Sequence, residues 1–235
     1  KLHNTWLKTN NINAFYDKQK LEEKEIENFI QKIKQQKIAG ANVTVPFKKS
    51  VIPYLDKLSS EAEKTQSVNT IVFENNNLVG YNTDVIGFTR AIKDLDFNTK
   101  GKKIFILGAG GVVPSIIFAL NKMEVSQITI SNRTREKAEN LKTQFKNLKI
   151  LDWGNLQDFD IIINATSLGL SKEKINLDFS NVGNNKLFYD VIYNPSETNF
   201  LKEGRKLGNR VENGKLMFLY QAFEAFKLWH GIEPQ

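Results

Sequence analysis

The sequence predicts an α/β fold whose later part is a parallel sheet, and two observations carry that prediction. From Lys102 onward, short apolar strands alternate with helical segments at regular intervals, as in strands covered on both faces by crossover helices. The first of these strands ends in a glycine cluster that opens directly onto a helix, the entry of a dinucleotide-binding unit. At 235 residues the chain is long enough for one large or two modest domains with a proper core.

The elements follow in order. Leu21 to Lys37 is a charged amphipathic helix with Ile26, Phe29, Ile30 and Ile33 on one face. Ala41 to Val45 is a strand stopped by Pro46. Val51 to Leu58 and Ser60 to Thr65 read as short helices. Val68 to Phe73 and Leu78 to Tyr81 are strands around an Asn75-Asn76-Asn77 turn. The first part ends near Asp84; Val85 to Leu95 is then a helix, and Asn98 to Gly101 a linker into the strand of the glycine turn. The regular alternation then begins with a strand at 102–107, a helix at 112–123 and a strand at 127–131. Asp160 to Asn164 and Leu187 to Ile192 are further buried strands. Lys215 to Trp229 is a final helix whose Leu216, Leu219, Phe223 and Phe226 form a core stripe, with Gln221 off it.

The glycine turn is Gly108-Ala109-Gly110-Gly111, and Val112 begins the helix after it. Backbone N–H groups and the helix dipole favour a pyrophosphate at such a turn. Val113 stands where the common motif has its third glycine, and Pro114 fits only in a helix's first turn. By themselves these glycines also suit a tight turn with no ligand. The next strand decides between the two readings. An NAD-binding unit ends that strand, roughly 20 residues past the glycines, in an Asp or Glu that bonds the ribose 2′-OH. This chain instead has Asn132-Arg133-Thr134, with Lys137 one turn into the following helix. A carboxylate there would repel a 2′-phosphate, whereas a guanidinium grips it bidentately. The cofactor reading is therefore NADP.

Composition excludes several classes. With no Cys there is no disulfide framework, thiol nucleophile or Cys-ligated metal, which fits a reducing cytoplasm. No metal site is expected. Apolar runs are short and mean hydropathy is −0.39, so no membrane span is expected. The net charge of +7 is spread along the chain without the arginine–aromatic stripe of a nucleic-acid surface. It suits the gathering of small anions such as NADP and a carboxylate substrate. The chain opens on Lys1-Leu2-His3-Asn4 with no Met, and it is expected to be a fragment of a longer native chain.

Hydride chemistry on a secondary alcohol needs a group that moves the hydroxyl proton. The two histidines, His3 and His230, lie near the ends. Asn42-Val-Thr-Val-Pro-Phe-Lys48 places Asn42 and Thr44 on one face of a strand that ends in a lysine. Val68-Asn69-Thr70 and Asn82-Thr83-Asp84 add amides, hydroxyls and a carboxylate at strand ends. Lys48 is the candidate base. A free lysine titrates near about 10.4, so it must be desolvated or act together with a carboxylate, for which Asp84 is available.

These segments, with Asn164-Ala165-Thr166 and Gln221-Ala222, occur in an order that resembles the shikimate dehydrogenase family across nearly the whole chain. The resemblance implies an N-terminal substrate-binding α/β domain, 1–84 with 215–235, and a Rossmann-like NADP-binding domain, 85–214, with shikimate in the cleft between them. It implies NADPH-dependent reduction of 3-dehydroshikimate to shikimate by a cytoplasmic monomer or homodimer, with no nucleic-acid or membrane partner. By position, Lys48 and Asp84 would be the catalytic pair, and Thr44, Asn69, Asp84, Tyr193 and Gln221 would hold shikimate. Gly108, Ala109, Gly110, Gly111, Val112, Asn132, Arg133, Thr134 and Lys137 would hold NADP, with Val191 and Gly214 near its nicotinamide.

The chain departs from the family in three places. The Ser-x-Ser pair that binds the substrate carboxylate, and a strand before it, do not precede His3-Asn4. The C-terminus stops soon after Trp229-His230-Gly231, and Val112 and Val113 replace smaller residues. Three alternatives stay open: a quinate/shikimate dehydrogenase, an inactive NADP-binding regulatory protein, and a glutamyl-tRNA reductase-like enzyme. The last needs a catalytic Cys that this chain lacks.

Overall fold

The computed structural model describes residues 1–170, 173 and 175–235. It forms two compact units, Lys1–Gly87 with Leu219–Gln235, and Phe88–Phe218.

The first unit runs through α1 (Leu2–Thr9), a 3-10 turn (Glu23–Glu25), α2 (Ile26–Lys34), β1 (Gly40–Asn42), a 3-10 turn (Ile52–Tyr54), β2 (Lys57–Leu58), α3 (Ser60–Thr65), β3 (Thr70–Glu74), β4 (Asn77–Tyr81) and the start of α4 (Thr83–Asp94). Its sheet has the order β1-β3-β4-β2. β3 and β4 form a hairpin in which Glu74 faces Asn77. The two-residue loop is Asn75-Asn76, with φ of 48° and 60°. Asparagine tolerates that left-handed backbone, which is the one a tight hairpin demands. Ile26, Ile30 and Ile33 of α2 pack with Val68, Ile71 and Leu78.

The second unit contains β5 (Lys103–Leu107), α5 (Val113–Lys122), β6 (Gln127–Ser131), α6 (Arg135–Leu141), β7 (Leu148–Leu151), β8 (Ile161–Asn164), β9 (Leu187–Asp190), α7 (Asn199–Lys206), β10 (Arg210–Glu212) and the start of α8 (Lys215–His230). Its sheet is β10-β9-β8-β5-β6-β7, and every ladder is parallel. Buried on both faces, β5 and β8 need the continuous apolar runs Ile104–Leu107 and Ile161–Ile163. From β5 the chain moves outward to β6 and β7, then returns to β8 on the other side of β5. The switch point therefore lies between β5 and β8, where sheets of this kind hold ligands.

Several sequence expectations change. Val51–Leu58 is not a helix. Pro53 lies in the first turn of a single 3-10 turn, and Lys57–Leu58 forms a strand beside β4. Asp56 secures that edge, because its carboxylate accepts Leu78 N–H at 2.8 Å. The expected 21–37 helix shortens to α2, preceded by a turn in which Glu22 and Glu25 cap each other. β1 stops at Asn42, although Val43 N–H still donates to Asn69 O at 2.8 Å. On α8 the fully buried residues are Ala222, Ala225 and Phe226. Leu219 and Phe223 pack only partly, and Leu216 is half-buried. Trp6 and Leu7 of α1 cover that face of α8. α1, β7, α7 and β10 are new from the structure.

Ile33 of α2 is fully buried. Ile33→Ala should cost about 2–5 kcal/mol, the range for truncating a core aliphatic. Urea unfolding would measure it, and a loss below about 1 kcal/mol would show that α2 is not a core element.

Candidate active site

In the first unit the polar strand ends converge on one carboxylate. After β1 the chain turns over Thr44–Phe47, with Phe47 N–H donating to Thr44 O at 2.9 Å. Lys48 is then tied to the segment just ahead of β3, because its carbonyl accepts Val68 N–H at 2.8 Å. Asp84 lies in the first turn of α4, where the helix dipole favours a negative charge. The Asn82 side chain holds that turn by accepting Asp84 N–H at 3.1 Å and donating to Thr65 Oγ1 at 2.8 Å.

Asp84 is 6% exposed. Its Oδ2 accepts from Lys48 Nζ at 2.6 Å, and its Oδ1 accepts from Asn69 Nδ2 at 3.0 Å. Asn69 Nδ2 also donates to Thr83 Oγ1 at 3.0 Å, while Asn69 Oδ1 accepts Thr83 N–H at 2.8 Å. Both amide hydrogens of Asn69 are thus engaged in holding the start of α4. Behind it, Asn42 Nδ2 donates to Asn69 O at 3.1 Å, and Tyr16 OH donates to Asn42 Oδ1 at 2.9 Å. Tyr16 is clamped in turn by Asn4, through Nδ2 to Tyr16 O at 2.9 Å and Tyr16 N–H to Oδ1 at 2.8 Å.

The result is a half-buried ammonium on a buried carboxylate, suited to passing one proton without exposing either group widely. Thr44 is exposed and Gln221 is half-buried on α8. Tyr16 was not singled out by the sequence. Its phenol lies 26 residues from Asn42, a contact no local pattern announces.

In the second unit β5 is followed by Gly108, whose φ is +110°. A Cβ there would lie 2.9 Å from Ala165 O, so the position has neither the space nor the backbone for a side chain. Gly108 N–H donates to Ser131 O at 2.8 Å. Gly110 and Gly111 are exposed just ahead of α5. Val113 is fully buried, which explains an apolar residue where the motif has glycine, and Pro114 occupies the first turn.

Beyond β6, Asn132 Nδ2 donates to Thr134 O at 2.7 Å. Arg135 is held by Asp152 and Glu139. Among the described residues, the exposed Arg133 and Lys137 have no ion-pair partner. After β9, Gly214 packs so closely that a Cβ would lie 2.0 Å from Val191 O. The exposed Tyr193 stacks on Phe218, with ring centroids 4.7 Å apart.

The sequence reading also passed over Asp190, at the end of β9. It is fully buried, with Asn164 Nδ2, Ile192 N–H and Thr198 Oγ1 as donors. Burial pushes its carboxyl up to about 6, against the pull of those three donors.

The model of the shikimate dehydrogenase substrate-binding domain matches residues 1–71, and that of shikimate/quinate 5-dehydrogenase matches residues 90–185. A shikimate dehydrogenase (NADP⁺) of Pelagibacter ubique is 53% identical over all of this chain and 89% of its own length. The chain belongs to the shikimate dehydrogenase family. The shikimate dehydrogenase of Aquifex aeolicus superimposes with a TM-score of 0.91 at 35% identity, covering 99% of this chain and 87% of that one. The enzyme of Thermus thermophilus, solved with NADP(H) and shikimate, gives 0.88 at 28% identity, covering 100% and 88%. The six-stranded parallel sheet is thus the Rossmann-like half of a shikimate dehydrogenase fold. Among the described residues no helix is long and apolar enough to cross a membrane.

Asp190 has a consequence for stability. Its carboxyl titrates near 3.8 in the unfolded chain and near 6 when folded, so the native state holds the proton more tightly. Stability from this group is therefore present at low pH and is lost as pH rises from about 4 to about 6. Asp190→Asn does not titrate. Its stability relative to the parent should rise across that window by up to about 3 kcal/mol, at roughly 1.4 kcal/mol per unit. Urea unfolding at several pH values checks this, and a pH-independent difference would show that Asp190 is not the titrating group.

Proposed function

We infer that this chain is an NADP-dependent shikimate dehydrogenase, an oxidoreductase that reversibly reduces 3-dehydroshikimate to shikimate on the route to chorismate and the aromatic amino acids. The observation that carries this reading is the 2.6 Å contact between Lys48 Nζ and Asp84 Oδ2, in a chain of this family. Bound NADPH supplies the hydride. Lys48 donates a proton to the ketone oxygen as it becomes a hydroxyl, and it takes that proton back in the oxidation. Asp84 holds the Lys48 amine and accepts from the substrate hydroxyl, which orients it for the transfer.

Thr44, Tyr193 and Gln221 are the further substrate ligands of this reading. The bonding of Asn69 supports a role beside them, because it fixes Asp84 Oδ1 and leaves Oδ2 for Lys48. The residues present suit NADP. Gly108, Ala109, Gly110, Gly111 and Val112 offer backbone at the start of α5 for the pyrophosphate. Asn132, Arg133, Thr134 and Lys137 offer polar and cationic groups for the 2′-phosphate. Val191 and Gly214 flank the nicotinamide. The substrate domain is 1–84 with 215–235, and the cofactor domain is 85–214. The enzyme works in the cytoplasm as a monomer or homodimer.

The family description that names quinate beside shikimate favours a second reading, a broader enzyme that oxidises both acids. Assays with NADP⁺ and each acid separate the two. Absence of turnover with either would leave only a cofactor-binding protein, a reading that the intact Lys48–Asp84 contact opposes.

Lys48→Ala should lower kcat at least about 100-fold, the scale of a lost general acid or base. Its KM for shikimate should shift far less, whereas a normal kcat with a raised KM would make Lys48 a binding residue. Arg133→Ala should weaken NADP binding by about 10–150-fold, the value of a charge-assisted hydrogen bond, and leave NAD binding nearly unchanged. Equal losses for the two cofactors would show that Arg133 does not read the 2′-phosphate.

A further inference from the structure

The switch point between β5 and β8 is bordered by two turns that touch, because Gly108 sits against the carbonyl of Ala165. The shape of the second turn is set by one side chain. Asn164, fully buried at the end of β8, accepts Thr166 N–H at 3.0 Å and Thr166 Oγ1 at 2.7 Å. Its Nδ2 donates to Leu168 O at 3.1 Å, and Leu168 N–H returns to Thr166 Oγ1 at 3.1 Å. The remaining bond of Nδ2 goes to Asp190 Oδ1 at 3.0 Å.

Asp190 does the same for the neighbouring strand. Its Oδ1 accepts Ile192 N–H at 3.0 Å, and its Oδ2 accepts Thr198 Oγ1 at 2.5 Å. The Thr198 hydroxyl in turn caps α7 by accepting Leu201 N–H. The Asn164–Asp190 bond thus joins the turn after β8 to the segment Val191–Tyr193 after β9. Apart from the bond that joins Asn164 to Asp190 across β8 and β9, these bonds are directed at backbone and hydroxyl groups beyond the strand ends. The three donors that meet Asp190 are uncharged, so the carboxylate lacks the ion-pair compensation that Asp84 has from Lys48. That is a costly choice for a group serving the fold alone.

We propose that the Asn164–Asp190 hydrogen bond is a positioning device for the cofactor, holding the turn under Gly108 and the Val191–Tyr193 segment in one fixed arrangement. The proposal rests on reading this unit as the NADP site. Neither residue touches the reacting atoms; each acts through the turn it holds.

The test is a fluorescence titration of NADPH against the full chain and three variants. Asn164→Asp keeps the shape but sets one carboxylate against another. It should weaken NADPH binding at least about 10-fold, the scale of a lost hydrogen bond to a charged group. Asp190→Asn alone keeps Oδ1 as the acceptor for Asn164 Nδ2 and Ile192 N–H and turns its Nδ2 toward the Thr198 hydroxyl, which can accept it. It should bind NADPH within about 3-fold of the parent, whereas a role confined to fold stability would leave the affinity of every folded variant at the parental value. Thr166→Val removes two half-buried bonds of the same turn, the one given to Asn164 Oδ1 and the one accepted from Leu168 N–H, and covers the case in which Asn164→Asp fails to fold. It should bind NADPH about 3–10-fold more weakly, as loss of a neutral hydrogen bond implies. Parental affinity in folded Asn164→Asp or in Thr166→Val would overturn the proposal, as would a loss in Asp190→Asn as large as that in Asn164→Asp. A parent chain that binds NADPH without reducing 3-dehydroshikimate would sink only the substrate reading. Failure of the parent to bind NADPH would sink both.

Discussion

A carboxylate removed from water must be met by donors, and each unit of this molecule is arranged around one such group at the end of a strand or the start of a helix. In the first unit the group is Asp84, met by an ammonium and an amide. In the second it is Asp190, met by an amide, a backbone N–H and a hydroxyl. The difference in donor chemistry separates their uses. Asp84 is bonded to a lysine ammonium, which suits it to the proposed acid–base pair. Asp190 has only fixed neutral donors, which suits it to holding geometry.

The surrounding polar residues follow from these two requirements. Asn69 satisfies Asp84 Oδ1 while accepting from Thr83 N–H, so one amide side chain fixes both the carboxylate and the start of α4. Asn82 performs the second half of that task by capping the same helix. Asn164 plays the corresponding part beside Asp190. Asparagine recurs at these strand ends because its side chain offers donors and an acceptor on one rigid plane, which lets it join two segments at once.

In the proposed cofactor site, charge selection depends as much on which cations are occupied as on which are present. Arg135 is held by Asp152 and Glu139, and its charge is largely compensated. Arg133, two residues earlier, lies outside that network. An Asp or Glu at the end of β6 would engage it internally and repel a phosphate. The Asn132-Arg133-Thr134 sequence at that strand end instead leaves the guanidinium available to a ligand anion.

The α/β class, the glycine turn and the preference for a phosphorylated cofactor were legible in the sequence, because each is encoded locally. Apolar runs give buried parallel strands, and Gly108 gives the positive φ that the β5–α5 turn requires. The absence of a carboxylate after β6 gives the charge reading. Lys48 and Asp84 were legible as candidates through their motifs, but their contact spans 36 positions and only the folded chain brings them together. The same holds for Tyr16 on Asn42 and for Asn164 on Asp190, pairs with nothing in their local spacing to join them. Short elements such as β2 and β7 also escaped, since two to four residues hold too little periodicity to reveal a strand that the sheet edge stabilises. Sequence determined what could be buried and where the backbone must bend. Tertiary structure decided which buried polar groups answer one another, because desolvation penalises an unpaired group and so favours the arrangement that brings partners together from distant parts of the chain.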